Sequence, residues 1–279
     1  MASKNQLGFF SVTMIVISLV IGMGIFGTPA NVAASSGSVW IFFAAWIAGG
    51  LVALCGALTY AEIGVRLPVM GAYYKVFSTC YHPVLGFTVN TLILISNAAS
   101  LAIVALIGAD YVSDLLFGQP SGALFNILVS IAAVIIFYIV NLFGLYTSSL
   151  AQNILTVIKI ALILLLIASM LKGVMVEPHG YIEGGTLYQF KDNHWLTLFL
   201  ARMIPVSFSY GGYQQTINFG SEIKNTRLLP RAVITGICIV IVLYLALNVA
   251  YTQVIGYEKK KNASAIGALL CEAWFGTTG

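Results

Sequence analysis

Long apolar runs alternate with short polar stretches along this chain. An α-helix needs about 20 mostly apolar residues to cross the hydrocarbon core of a bilayer. Seven stretches meet that length: 9–34, 39–63, 84–117, 122–144, 151–172, 196–222 and 231–256. An eighth opens near Ser264. The third is long enough that it must tilt or project beyond the bilayer. Most connectors are short, and the two informative ones are 64–83 and 173–195. The second is rich in glycine and polar groups, among them Glu177, His179, Glu183, Lys191, Asp192 and His194.

Composition narrows the class. Of the 279 residues, 8% are charged and 59% hydrophobic, whereas a soluble domain carries about 25% charged residues. A single soluble core stops growing near about 250–300 residues and cannot hide this much apolar surface; lipid can. The expectation is an all-α integral membrane protein of the cell membrane, with the bilayer as its first partner. The net charge of +4 is scattered, without the basic stripe that a nucleic-acid binder needs. Cys55, Cys80, Cys238 and Cys271 are widely spaced in or beside apolar runs, which reads as packing rather than a metal site or disulfide framework. His179 and His194 share a wet loop without ligand spacing. The first run is too long for a signal peptide and has only Lys4 ahead of it, so it reads as a membrane helix.

Charge sets an expected orientation. With the N-terminus in the cytoplasm, the inner segments hold Lys4, Arg66, Lys75, Lys224, Arg227 and Arg231. The outer ones hold Lys172, Lys191 and Lys259-Lys260-Lys261, a ratio of six to five. The positive-inside rule then favours N-in. Asn262-Ala263-Ser264 forms a glycosylation triplet in an outer loop on that reading.

Two runs carry glycine at mid-depth: Val20-Ile21-Gly22-Met23-Gly24-Ile25-Phe26-Gly27-Thr28-Pro29, and Pro205-Val206-Ser207-Phe208-Ser209-Tyr210-Gly211-Gly212-Tyr213. Glycine weakens a helix by about 1 kcal/mol against alanine, and Pro29 and Pro205 each remove a backbone donor. An unwound turn at membrane depth survives only where it lines a cavity. A broken helix leaves N–H groups at the start of its second half, which suit a carboxylate. It leaves C=O groups at the end of its first half, which suit an ammonium. Two such breaks can hold an α-amino acid by its zwitterionic head, and interrupted helices at matching places in two halves point to a transporter site. The competing reading is close helix packing through small residues.

Three stretches carry a resemblance. Gly22-Met23-Gly24-Ile25-Phe26 with Pro29 and Gly37 is the first. Gly56-Ala57-Leu58-Thr59-Tyr60-Ala61-Glu62-Ile63-Gly64 with Leu67-Pro68 and Gly71 is the second. The third joins Phe208-Ser209-Tyr210-Gly211-Gly212, Glu222-Ile223-Lys224-Asn225 and Leu229-Pro230-Arg231-Ala232. In order and spacing they resemble the amino acid–polyamine–organocation (APC) superfamily, and within it the bacterial amino-acid permeases. Met23, Ala72 and Thr226 depart from the family's usual small residue, second glycine and proline at those places.

The resemblance implies an inverted-repeat transporter fold with broken helices one and six. Residues 1–172 would form the first five-helix repeat, 173–195 an extracellular loop, and 196–279 an incomplete second repeat, truncated after about seven to eight spans. It implies a substrate site running over Val20, Ile21, Gly22, Met23, Gly24 and Ile25, and over Phe208, Ser209, Tyr210 and Gly211. The carboxylate would meet the N–H groups of Met23, Gly24 and Ile25. The ammonium would meet the carbonyls of Val20, Ile21, Phe208, Ser209 and Gly211. Phe208 matches an aromatic lid over the substrate; the alternative is a lipid- or core-facing ring.

Lys159 lies inside the apolar run 151–172. Burying a lysine there costs about 2.5–3.5 kcal/mol on insertion scales, so it marks a functional hypothesis; the alternative is snorkelling to the nearer membrane face. In related permeases a lysine at this place occupies a site that sodium fills in sodium-coupled relatives. Lys159 would then be a fixed charge bracing the first break, or a proton carrier.

The expected function is secondary transport of an amino acid by alternating access, as proton symport or exchange. Neither break holds an acidic side chain, which favours a neutral substrate. The alternatives are a truncated, non-transporting fragment and a seven-span receptor-like protein. A retinal protein needs a lysine in its last span, and 232–256 has none. No cofactor motif, metal-ligand set or nucleophile–base spacing stands at membrane depth, so an enzyme is not expected.

Overall fold

The computed structural model describes residues 8–36, 38–67, 72–117, 122–172, 195–219, 223 and 227–257. The loop 173–194 with its two histidines, the acidic-basic stretch around Glu222 and Lys224, the Asn262 triplet, the eighth run and Cys271 lie outside the described residues.

Nine α-helices follow one another among the described residues, and no strand. They are α1 (Phe9–Val20), α2 (Gly24–Ser36), α3 (Val39–Arg66), α4 (Ala72–Cys80), α5 (Pro83–Phe117), α6 (Ala123–Leu142), α7 (Leu145–Ala168), α8 (Trp195–Ser209) and α9 (Leu228–Val254). Single 3-10 segments extend α7 (Ser169–Lys172) and follow α8 (Tyr213–Phe219). Five helices are long and apolar enough to cross a membrane, and α1 with α2, bent by 44°, make a sixth. The chain is therefore a multi-pass membrane protein. At 35 residues, α5 is about 52 Å long at 1.5 Å per residue, against a hydrocarbon core of about 30 Å.

Two differences from the sequence expectation stand out. The connector 64–83 is not all loop, because α4 occupies nine of its residues. The sixth apolar run is not one helix; it is split between α8 and the 3-10 segment Tyr213–Phe219. Pro29 and Pro205 both sit inside helices, so neither break falls on a proline.

Two compact units are present, Met1–Pro68 with Leu155–Gly279, and Val69–Ile154. In the first, α9 packs on α1 and α3, and α8 packs on α2 and α3. Its core is aromatic: Trp46 of α3 lies 5.8 Å from Tyr210 and 6.0 Å from Tyr244, ring centre to ring centre, and those two tyrosines lie 5.1 Å apart. All three are fully buried. Glycines on α3 admit its neighbours: a Cβ at Gly49 would meet Val206 at 2.4 Å, and one at Gly56 would meet the Tyr213 hydroxyl at 2.4 Å. Lipid tails are as apolar as leucine, so such close contact, rather than escape from water, holds membrane helices together.

At the far end of α9, Gly256 adopts φ +85°, a left-handed conformation that ends the helix. The chain then presents Tyr257, whose hydroxyl donates to Ala33 O of α2 (3.2 Å) and whose ring packs edge-on to Phe42. In the second unit, α4 packs on α5 and α5 on α6, and Asn126 Nδ2 of α6 donates to Asp110 Oδ1 of α5 at 2.5 Å.

Removing the largest core ring leaves a cavity that its rigid neighbours cannot refill. Trp46→Ala is expected to destabilise the protein by about 3 kcal/mol, read as a lowered unfolding midpoint in detergent; a midpoint within error of the parent would contradict the packing described.

Candidate functional site

The first break is three residues long, from Ile21 to Met23. Ile21 leaves helical geometry (φ −72°, ψ 92°) while its N–H still closes on Ile17 O at 2.8 Å. On the other side, the N–H groups of Phe26 and Gly27 both close on Met23 O, at 3.1 and 3.2 Å. Helix α2 therefore has no internal acceptor for the N–H groups of Met23, Gly24 and Ile25. Its N-terminus carries a partial positive charge, and the C-termini of α1 and α8 carry partial negative charges.

The second break follows Ser209. Tyr210 N–H closes on Val206 O and Gly211 N–H on Phe208 O, both at 3.1 Å. Gly212 then turns the chain with φ +111°, and its N–H donates to Gln214 Oε1 at 2.8 Å. Only glycine fits there, both for that φ and for space, since a Cβ would stand 2.1 Å from Leu19 O. The breaks also touch at a second point, where a Cβ on Gly24 would stand 2.7 Å from Ser209 Cα. Gly24 thus packs as closely as the small-residue reading requires. A Cβ on Gly22 or Gly27 would meet nothing within 4 Å.

Two side chains from other helices reach into the breaks. The Tyr244 hydroxyl of α9 lies 3.0 Å from Val20 O and 3.2 Å from Ser209 O. Its one proton serves both carbonyls, so the residue ties the end of α1 to the end of α8. Lys159 Nζ of α7 donates to Ile21 O at 3.0 Å. Lys159 thus points to the first break rather than snorkelling away from it. Tyr244 is the residue that reading the sequence missed; it is one of two tyrosines in an apolar span, with Tyr251, and nothing in the sequence sets it apart.

Of the carbonyls assigned to an ammonium, Val20, Ile21, Phe208 and Ser209 each already accept one protein hydrogen bond. A carbonyl oxygen has two lone pairs and can accept a second. Val20, Ile21, Gly24, Ile25, Ser209 and Tyr210 are buried, Met23 and Gly211 half-buried, and Gly22 exposed. Phe208 is 69% exposed, so its ring is not packed into the core of the described residues. Tyr210 turns inward to the aromatic core. Among the described residues no His, Cys, Asp and Glu side chains group as metal ligands.

A family model described as "Amino acid permease" matches residues 7–279. The chain belongs to the amino acid permease family. That family is one of transporters, and the APC resemblance of the three motif stretches stands with it. Among similar curated proteins is the serine/threonine exchanger SteT of Bacillus subtilis, 28% identical over 283 residues, covering 99% of this chain and 61% of the relative. The mouse b(0,+)-type amino acid transporter 1 is 27% identical over 260 residues, covering 90% and 52%. The human large neutral amino acids transporter small subunit 2 is 26% identical over 280 residues, covering 99% and 52%. The chain spans between half and two-thirds of the length of these relatives.

Two expectations for this family member follow from the contacts. Gly24→Ala must push the breaks apart, whereas Gly22→Ala meets open space. Gly24→Ala should lower stability in detergent by about 1–3 kcal/mol and Gly22→Ala should leave the unfolding midpoint close to the parent's; equal behaviour would refute the contact. Tyr244→Phe keeps the ring but strips a donor from two buried carbonyls. It should lower stability in detergent by about 1–3 kcal/mol, and an unchanged midpoint would mean the hydroxyl ties nothing.

Proposed function

We propose that the protein moves a neutral amino acid across the membrane by alternating access, with exchange as the mode. The observation that carries this is the meeting of two helix breaks, with free N–H groups at Met23, Gly24 and Ile25 opposite carbonyl-bearing ends at Val20–Ile21 and Phe208–Ser209. A zwitterionic head matches that distribution, carboxylate to the start of α2 and ammonium to the ends of α1 and α8. The binding set is Val20, Ile21, Gly22, Met23, Gly24, Ile25, Phe208, Ser209, Tyr210 and Gly211, with exposed Phe208 as the ring that closes over the ligand.

Neutral side chains are favoured because neither break carries an acid, while a lysine already stands at Ile21 O. Relatives named as a serine/threonine exchanger and a large neutral amino acids transporter support the same class. Lys159 acts as a fixed charge bracing the break, which supports exchange, since a charge held in place carries no proton across. Proton symport is the second reading, and it follows if Lys159 releases its proton during the cycle. The repeat division (1–172 and 196–279) and a cytoplasmic N-terminus belong to this proposal.

Proteoliposomes carrying the intact protein and preloaded with serine or leucine test it. Labelled neutral amino acid should accumulate several-fold faster than in empty vesicles, without need of a pH gradient. Binding without any flux would refute transport, and flux that requires an inward proton gradient would replace exchange by symport. Lys159→Ala should reduce flux at least ten-fold; a variant equal to the parent across all pH values would remove the brace.

A further inference from the structure

Helix α4 has no part in the site. It packs against the first turns of α5, where a Cβ at Gly86 would stand 2.8 Å from Tyr74 O and 2.9 Å from Ser78 N. Nothing but that glycine separates the two backbones, so α4 is held at the level where this span begins, three residues beyond Pro83. Tyr73 and Val76 are buried. The opposite side presents Tyr74 and Lys75, and the turn beyond the helix presents Tyr81, with exposures of 41% for Tyr74 and 71% for Tyr81. Phe77 stacks on Tyr81 at 5.9 Å. His82 is occupied otherwise, its Nδ1 accepting from Val84 N–H at the start of α5 (3.2 Å).

Rings with a polar tip settle at the membrane–water boundary, where one end is apolar and the other wet. The charge pattern adds a sign. Between Glu62 and Asp110 the chain holds no acid, and the cations there are Arg66 and Lys75. Of these, Lys75 alone lies on α4. We propose that α4 is an interfacial helix whose exposed side, Tyr74, Lys75 and Tyr81, binds the anionic lipid headgroups of the leaflet at which α5 begins. The rings set its depth, and Lys75 selects a negative headgroup over a zwitterionic one. This surface is independent of the transport reading.

The test uses the purified chain in vesicles of mixed phosphatidylcholine and phosphatidylglycerol. One lipid at a time carries a photoreactive group next to its headgroup, and adducts are mapped by mass spectrometry. Adducts within 72–82 are expected to be about five-fold more abundant with the phosphatidylglycerol probe, in line with one lysine near an anionic surface. Lys75→Gln should bring the probes to parity without abolishing labelling, and Lys75→Arg should restore the preference. Added inorganic phosphate should not compete. Absence of adducts with either probe would mean that protein or bulk water covers α4, and would overturn the proposal. So would equal labelling by both probes, a preference that survives Lys75→Gln, or competition by free phosphate.

Discussion

A backbone that leaves the helix inside a membrane must find partners for every polar group it frees, because hydrocarbon offers none. This constraint organises the first unit. The carbonyls freed at Val20 and Ser209 share the Tyr244 hydroxyl, and the one at Ile21 takes Lys159. The donors come from α9 and α7, so neither broken helix can be completed from its own residues. It also fits the buried positions that recur along α9 from Leu229 to Val254. That helix holds α1 through Tyr244, and Tyr257 just beyond its end reaches α2, one contact on each half of the broken span.

The second requirement is closeness. Donors of ordinary length reach both breaks only if the two backbones nearly touch, as they do at Gly24 against Ser209 and at Gly212 against Leu19. The same economy of side chains appears on α3, where Gly49 and Gly56 let Val206 and Tyr213 settle against the helix. Between them lies a bulky layer, where Trp46, Tyr210 and Tyr244 pack ring to ring. The candidate site is thus a narrow seam of backbone lined behind by aromatic groups.

Much of this is legible in the sequence, for identifiable reasons. Glycines paired with a proline at mid-depth in two apolar runs point to the breaks, whereas Gly49 and Gly56 in unbroken α3 serve close packing, so glycine by itself does not tell the two apart. Lys159 declares itself by its cost in lipid. Tyr244 does not, since a tyrosine among Ile, Val and Leu supplies the apolar ring that the run calls for, and only its neighbours in space reveal what the hydroxyl joins. Helix α4 escapes for the opposite reason: nine residues with Lys75 and small polar groups fall short of any spanning run. The outward turn of Phe208 and the inward turn of Tyr210, two residues apart, depend on where α8 ends, which composition does not disclose.

The lysine at Ile21 O also has a consequence for membrane voltage. Moving one elementary charge through the field is worth about 2.3 kcal/mol per 100 mV. In the proposed cycle Lys159 keeps its hold on Ile21 O and a zwitterionic substrate adds no net charge. Under the proposed exchange of neutral amino acids, the cycle would move no net charge and would be indifferent to the membrane potential. On that proposal Lys159 would do more than steady a carbonyl: it would place a fixed positive charge at the break.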